Sequence, residues 1–199
     1  MATIQPTGEI LGATVTDIDL SRPLGDEEFA TILAALGRYG VLRFPGQKID
    51  SAALRDFSRR FGTIQTSITG KHHDPEVPEV GILSNIKVNG EYIGIPDAGQ
   101  DWHTDMSYRD LMGFVNVLYA LKVPRRDGKV LGGTEFANMH AAYEGLPEAI
   151  KTRLDGATAT HDFEKFWEYM RREKGSTRPP LTEEQRRLRP PVHHPAFLT

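Results

Sequence analysis

Between positions 26 and 40 the apolar residues Phe29, Ile32, Leu33 and Leu36 fall at the three-and-four spacing of one helix face. Asp26 is placed to cap this helix, and Gly37 and Gly40 lie near its end. A second face, Leu54, Phe57 and Phe61, follows Ser51 as the expected cap and stops at Gly62. Elsewhere the period shortens. Residues 9–20 are β-branched with partial alternation and read as a strand or hairpin, broken by Arg22, Pro23 and Gly25. Residues 41–44 form a short buried-type strand before Pro45-Gly46, and residues 63–78 read as loop. Strands are predicted over 80–86, 113–123, 133–138 and 157–161, with a hairpin at Asn89-Gly90. Helices are predicted over 140–146, 147–154 and 163–174. Helices and strands are mixed without regular βα alternation, which favours a mixed α+β fold over a doubly wound sheet.

Composition narrows the function. The 199 residues are 39% apolar and 26% charged, ordinary for one soluble domain spanning 1–199. A net charge of −3 argues against general nucleic-acid binding. No apolar run approaches the roughly 18 residues of a membrane span, and the first ten residues do not read as a secretory signal. The expectation is a cytoplasmic protein with neither nucleic acid nor membrane as partner. Cysteine is absent, so a metal would be held by His, Asp and Glu alone. Residues 164–189 carry eight Lys/Arg against five Asp/Glu. This reads mainly as a solvated helix face with i,i+4 pairs, and otherwise as a lid for an anionic substrate.

The strongest chemical signal is Trp102-His103-Thr104-Asp105. In an extended segment, residues two apart point to the same face, so His103 and Asp105 can reach one point. An imidazole and a carboxylate are two thirds of the 2-His-1-carboxylate facial triad, which leaves positions open for co-substrate and O2. The plain alternative for the triplet alone is a surface turn with a His–Asp hydrogen bond.

Context separates the two readings. The stretch Asp101-Trp102-His103-Thr104-Asp105-Met106-Ser107-Tyr108 closely resembles the iron-binding segment of the taurine dioxygenase / 2,4-D dioxygenase (TauD/TfdA) family. Four further stretches agree in order. They are Gly12-Ala13-Thr14-Val15 through Asp19-Leu20-Ser21, Gly40-Val41-Leu42-Arg43-Phe44-Pro45-Gly46-Gln47, Phe57 through Phe61-Gly62, and Leu131-Gly132-Gly133-Thr134-Glu135-Phe136-Ala137-Asn138-Met139.

The resemblance implies a double-stranded β-helix (jelly-roll) core with flanking helices, Fe(II) on His103 and Asp105, and Thr134 donating its hydroxyl to 2-oxoglutarate. It implies a dioxygenase that hydroxylates a small anionic molecule while 2-oxoglutarate and O2 become succinate and CO2. Halogenating relatives replace the carboxylate with a small residue, so Asp105 points to hydroxylation. Asn85, Gln100 and Tyr108 are candidates for substrate contact, and a homo-oligomer is a family expectation. His72 and His73 lie where substrate contacts would fall, but no His–Tyr sulfonate grip is evident around Ser67 to Gly70. The family also uses a second iron-binding His and a 2-oxoglutarate-binding Arg on a later strand. No residue up to Thr199 matches either, so the domain is expected to be incomplete at its C-terminus. The competing expectation is a truncated, non-catalytic paralogue acting as a binding or oligomerising module.

Overall fold

The computed structural model describes residues 2–66 and 72–198. Ser67 to Gly70, read above for a sulfonate grip, lie outside the described residues. Helices and strands are interspersed along the chain, as the mixed α+β reading expects. In order the elements are β1 (Thr3–Pro6), β2 (Ala13–Thr16), α1 (Asp26–Tyr39), β3 (Leu42–Arg43), α2 (Ser51–Arg59), β4 (Lys87–Val88), β5 (Glu91–Tyr92), β6 (Arg125–Arg126), β7 (Lys129–Val130), α3 (Met139–Glu144), α4 (Glu148–Leu154), β8 (Thr158–His161), α5 (Phe163–Arg172), α6 (Glu183–Arg187) and β9 (Val192–Pro195). They form two compact units, Met1–Ile82 with Val115–Gly145, and Leu83–Phe114 with Leu146–Thr199. Among the described residues the ladders are one three-stranded sheet and three two-stranded pairs, none closed into a barrel.

In the first unit β2 lies between β1, antiparallel, and β3, parallel. Leu20, Ile32 and Phe57 form the core, with Leu42, Phe44, Phe61 and Val117 packed on it. Phe57 meets Phe44 and Phe61 edge to face, at centroid distances of 5.8 and 5.3 Å. The helix starts differ from expectation by one residue. Gly25, not Asp26, is the N-cap of α1, and Asp26, Glu27 and Glu28 fill its first turn, where negative charge favours the helix dipole. Asp50, not Ser51, caps α2 by accepting from Ala53 N–H at 2.8 Å. Ser51 instead donates its hydroxyl to Asp74.

Three predicted strands are not formed. Residues 113–123 alternate as a strand should, with Val117 on the core and Phe114 and Leu118 exposed, but they join no ladder among the described residues. One buried face is enough to produce the period-two pattern; a strand also needs a neighbour for its backbone groups. Residues 80–86 keep only single bridges, His73 to Gly81 and Leu83 to Ile95. Residues 133–137 are exposed and join no ladder among the described residues, and half-buried Asn138 serves instead as the cap of α3, accepting from Ala141 N–H.

In the second unit the Asn89-Gly90 hairpin is present as β4–β5. Its two turn residues have φ of 53° and 86°, the left-handed pair a tight two-residue turn requires. Helix α5 buries Phe163, Trp167 and Met170, and Asp162 caps it. Strands β8 and β9 pair antiparallel, Thr158 opposite Pro195 through His161 opposite Val192. Neither β9 nor α6 was anticipated. Helix α6 carries a local signal in Thr182 and Gln185, which form a capping box. The basic stretch is only partly a self-paired helix face. Glu168 pairs with Arg171 and Arg172, whereas Arg178 and Lys174 reach Asp97 and Asp101, both at 2.8 Å.

Candidate metal site

The segment 101–109 is coil running into a turn, not a strand. The side chains of His103 and Asp105 nevertheless meet, through the turn that starts at Asp105 and not through strand alternation. Met106 sits at φ 58°, and Arg109 N–H donates to the Met106 carbonyl at 3.0 Å. His103 Nε2 stands 3.1 Å from Asp105 Oδ1, with both side chains about half exposed.

The other ring nitrogen settles the tautomer. His103 Nδ1 is 2.6 Å from the backbone carbonyl of Asp101. A carbonyl only accepts, so Nδ1 carries the hydrogen. In the neutral ring Nε2 then presents a lone pair toward a carboxylate oxygen. Two acceptors at that distance need a cation between them, either a second ring proton or a metal. Two donors each ~2.1 Å from one cation at right angles stand about 3.0 Å apart, so the spacing suits neighbouring ligands of one ion. A ligating His that donates its far N–H to a backbone carbonyl is also the usual arrangement at metal centres. Among the described residues no group of three or more His, Asp or Glu side chains converges on such a point.

Asp101, the residue behind His103, is itself anchored. Its carboxylate accepts from Lys174 Nζ, and this bond raises the Lys174 pKa above the usual lysine range. Tyr108 packs its ring on Phe163 at 4.6 Å and turns its hydroxyl to the Met106 sulfur. Burial raises its phenol pKa. Arg109 C=O lies 2.9 Å from Nε2 of His194, a buried side chain on β9. Gln100, Trp102 and Asn85 are exposed in the same unit. Thr134 belongs to the first unit, exposed in a Gly132-Gly133-Thr134 coil. His73, also there, has both ring nitrogens buried without a hydrogen-bond partner. Lys174 and His194 were not singled out as site residues. The only sequence signal for Lys174 is the local excess of basic charge over residues 164–189, and His194 carries no signal of its own beyond its place before Pro195.

A mixed α/β fold carrying a His-x-Asp pair whose lone pair and carboxylate converge defines a candidate His/carboxylate metalloprotein. The chain belongs to the family described as Taurine catabolism dioxygenase TauD, TfdA family, which it matches over residues 3–199. It is 35% identical to pentalenolactone F synthase of Streptomyces avermitilis over 164 residues, 81% of this chain and 53% of that protein. It is 30% identical to the alpha-ketoglutarate-dependent 2,4-dichlorophenoxyacetate dioxygenase of Cupriavidus pinatubonensis over 205 aligned positions, 98% of this chain and 68% of that protein. The (S)-phenoxypropionate/alpha-ketoglutarate-dioxygenase of Delftia acidovorans is 32% identical, with 53% of its length matched. The chain thus spans about half to two thirds of the length of these relatives. Its fold is similar to the crystal structure of AAD-2 in complex with Mn(II) and N-oxalylglycine, at a TM-score of 0.62 and 22% identity, covering 98% of this chain and 63% of that one.

Proposed function

We propose that the chain carries the iron- and 2-oxoglutarate-binding part of a dioxygenase that hydroxylates a small anionic organic molecule, with 2-oxoglutarate and O2 converted to succinate and CO2. The observation that carries this reading is the His103–Asp105 pair, with Nδ1–H held by the Asp101 carbonyl and Nε2 turned to the carboxylate. When bound, iron and 2-oxoglutarate supply the oxidation of a C–H bond, chemistry that side chains alone do not perform. The chain's own residues do the positioning. His103 and Asp105 are the metal ligands, Thr134 donates its hydroxyl to a 2-oxoglutarate carboxylate, and Asn85, Gln100 and Tyr108 face the substrate. Two of the relatives are named for 2,4-dichlorophenoxyacetate and phenoxypropionate, both carboxylates, which supports an anionic substrate. The same reading takes the separate ladders as parts of a jelly-roll core in a cytoplasmic, self-associating enzyme. In the described residues no helix is long and apolar enough to cross a membrane.

The test is O2- and substrate-dependent succinate formation with Fe(II), ascorbate and a panel of aryloxyacetates, sulfate esters and other small acids. The expected result is succinate above background with at least one acid, abolished in His103→Ala. No succinate with any of them counts against the enzyme reading. One observation favours a second reading, a non-catalytic binding module: the described residues bring together two ligands of this kind and not three. That module would bind partners yet make no succinate.

A further inference from the structure

His194 is the one polar side chain among the buried residues described. It is 9% exposed, on β9, and its Nε2 lies 2.9 Å from the Arg109 carbonyl. Because that carbonyl only accepts, Nε2 must carry the hydrogen and donate it. Arg109 is also the residue whose N–H closes the turn onto Met106, and that turn begins at Asp105. One peptide neighbourhood therefore does two jobs. Its N–H shapes the turn that presents the Asp105 carboxylate, and its C=O ties the turn to the β8–β9 ladder.

Two further contacts fix the same segment. Tyr108 packs on Phe163, a buried residue of α5. Asp101 holds Lys174 with its carboxylate and His103 with its carbonyl. Of the three, only the His194 bond reaches the Asp105 side of the pair through a buried donor. The donor is a buried side chain, so removing it withdraws a tie for which water competes poorly and leaves the turn freer to shift.

We propose that His194 is a positioning residue for the His103–Asp105 pair: its Nε2–H holds the Arg109 carbonyl and so sets the Asp105 carboxylate beside His103 Nε2. His194 is not a ligand in this scheme and touches neither substrate nor metal. The last step rests on the metal-binding reading of the pair; the bond itself does not.

Three measurements on the full chain decide it. First, ring 15N NMR of the wild-type protein is expected to show His194 protonated at Nε2. A bare Nε2 overturns the bond. Second, amide exchange of Arg109 is followed in His194→Phe, which removes the donor, and in His194→Gln, which keeps one. Exchange is expected to rise about 10-fold in the first and to stay within about threefold of wild type in the second, with the β8–β9 amides still protected. Unchanged Arg109 exchange in a folded Phe variant overturns the proposal. Should that variant lose its ladder, the ring spectrum and the Gln variant decide. Third, Mn(II) affinity by EPR is expected to fall roughly 10-fold in His194→Phe, to recover in His194→Gln, and to vanish in His103→Ala. Binding unaffected by His103→Ala sinks the metal reading alone, because the first two measurements still judge the clamp. Binding lost in His103→Ala but unaffected by His194→Phe sinks the positioning role.

Discussion

Two side chains, Tyr108 and Asp74, are shifted in titration by opposite physical causes. Tyr108 is the clearer. Its pKa is raised first by burial, with the Asp105 carboxylate adding in the same direction and arginines opposing. The folded state therefore keeps a phenolic proton that the unfolded chain gives up at about pH 10. Above that pH the unfolded state binds fewer protons, so stability falls as pH rises toward the folded value. In an absorbance titration a late-ionising phenol is expected, and Tyr108→Phe is expected to remove that late step. Asp74 runs the other way. The Ser51 hydroxyl and the Val77 and Glu76 N–H groups lower its pKa. Its contribution is present above the unfolded value of about 3.9 and is lost as pH falls further. Asp74→Asn is expected to unfold less steeply with acid below pH 4 than wild type, monitored by circular dichroism. The pairing of His103 with Asp105 was legible from residue type and spacing alone. The reason for their meeting was not, because spacing of two suggested a strand and the chain uses a turn with Met106 at positive φ.

At the scale of elements, what the sequence revealed depended on whether the signal was local. Helix α1 and helix α2 follow from apolar spacing because a helix satisfies its own backbone. The Asn89-Gly90 hairpin follows because two residues set its turn. A second hairpin, β6–β7, carries the same kind of signal in Asp127-Gly128, with φ of 51° and 76°, between Arg125-Arg126 and Lys129-Val130. Its strands are exposed and lack the apolar alternation that marks a buried face, so only the turn signal is visible in the sequence. Residues 113–123 fail in the opposite sense, being apolar and alternating yet without a ladder. The α2 cap shifts by one residue because neighbouring Asp and Ser compete: the carboxylate of Asp50 takes the Ala53 amide while Ser51 is drawn to Asp74. Asp50→Ala is expected to cost about 1 kcal/mol in urea unfolding. Ile32→Ala, at a fully buried position of α1, is expected to cost roughly 2–5 kcal/mol, with the larger loss where the core cannot close around the gap.

For the molecule as a whole, the number of protein donors that the proposed metal site supplies can be measured directly. A six-coordinate Mn(II) held by two protein donors keeps about four exchangeable waters; one held by a full facial triad keeps about three. The described residues offer His103 and Asp105 together and no larger cluster of His, Asp or Glu. Water-proton relaxation of the Mn(II)-loaded chain, without 2-oxoglutarate, is therefore expected to report about four waters and to fall by two when a chelating 2-oxo acid is added. A starting value near three means that another protein donor joins the site, from outside the described residues or from a second copy of the chain. Dependence on protein concentration separates these, because a donor from a second copy is lost on dilution whereas one from the same chain is not. The same titration in His194→Phe links this scale to the first. If His194 places the Asp105 carboxylate, the variant's Mn(II) is expected to be held by His103 alone and to keep about five waters.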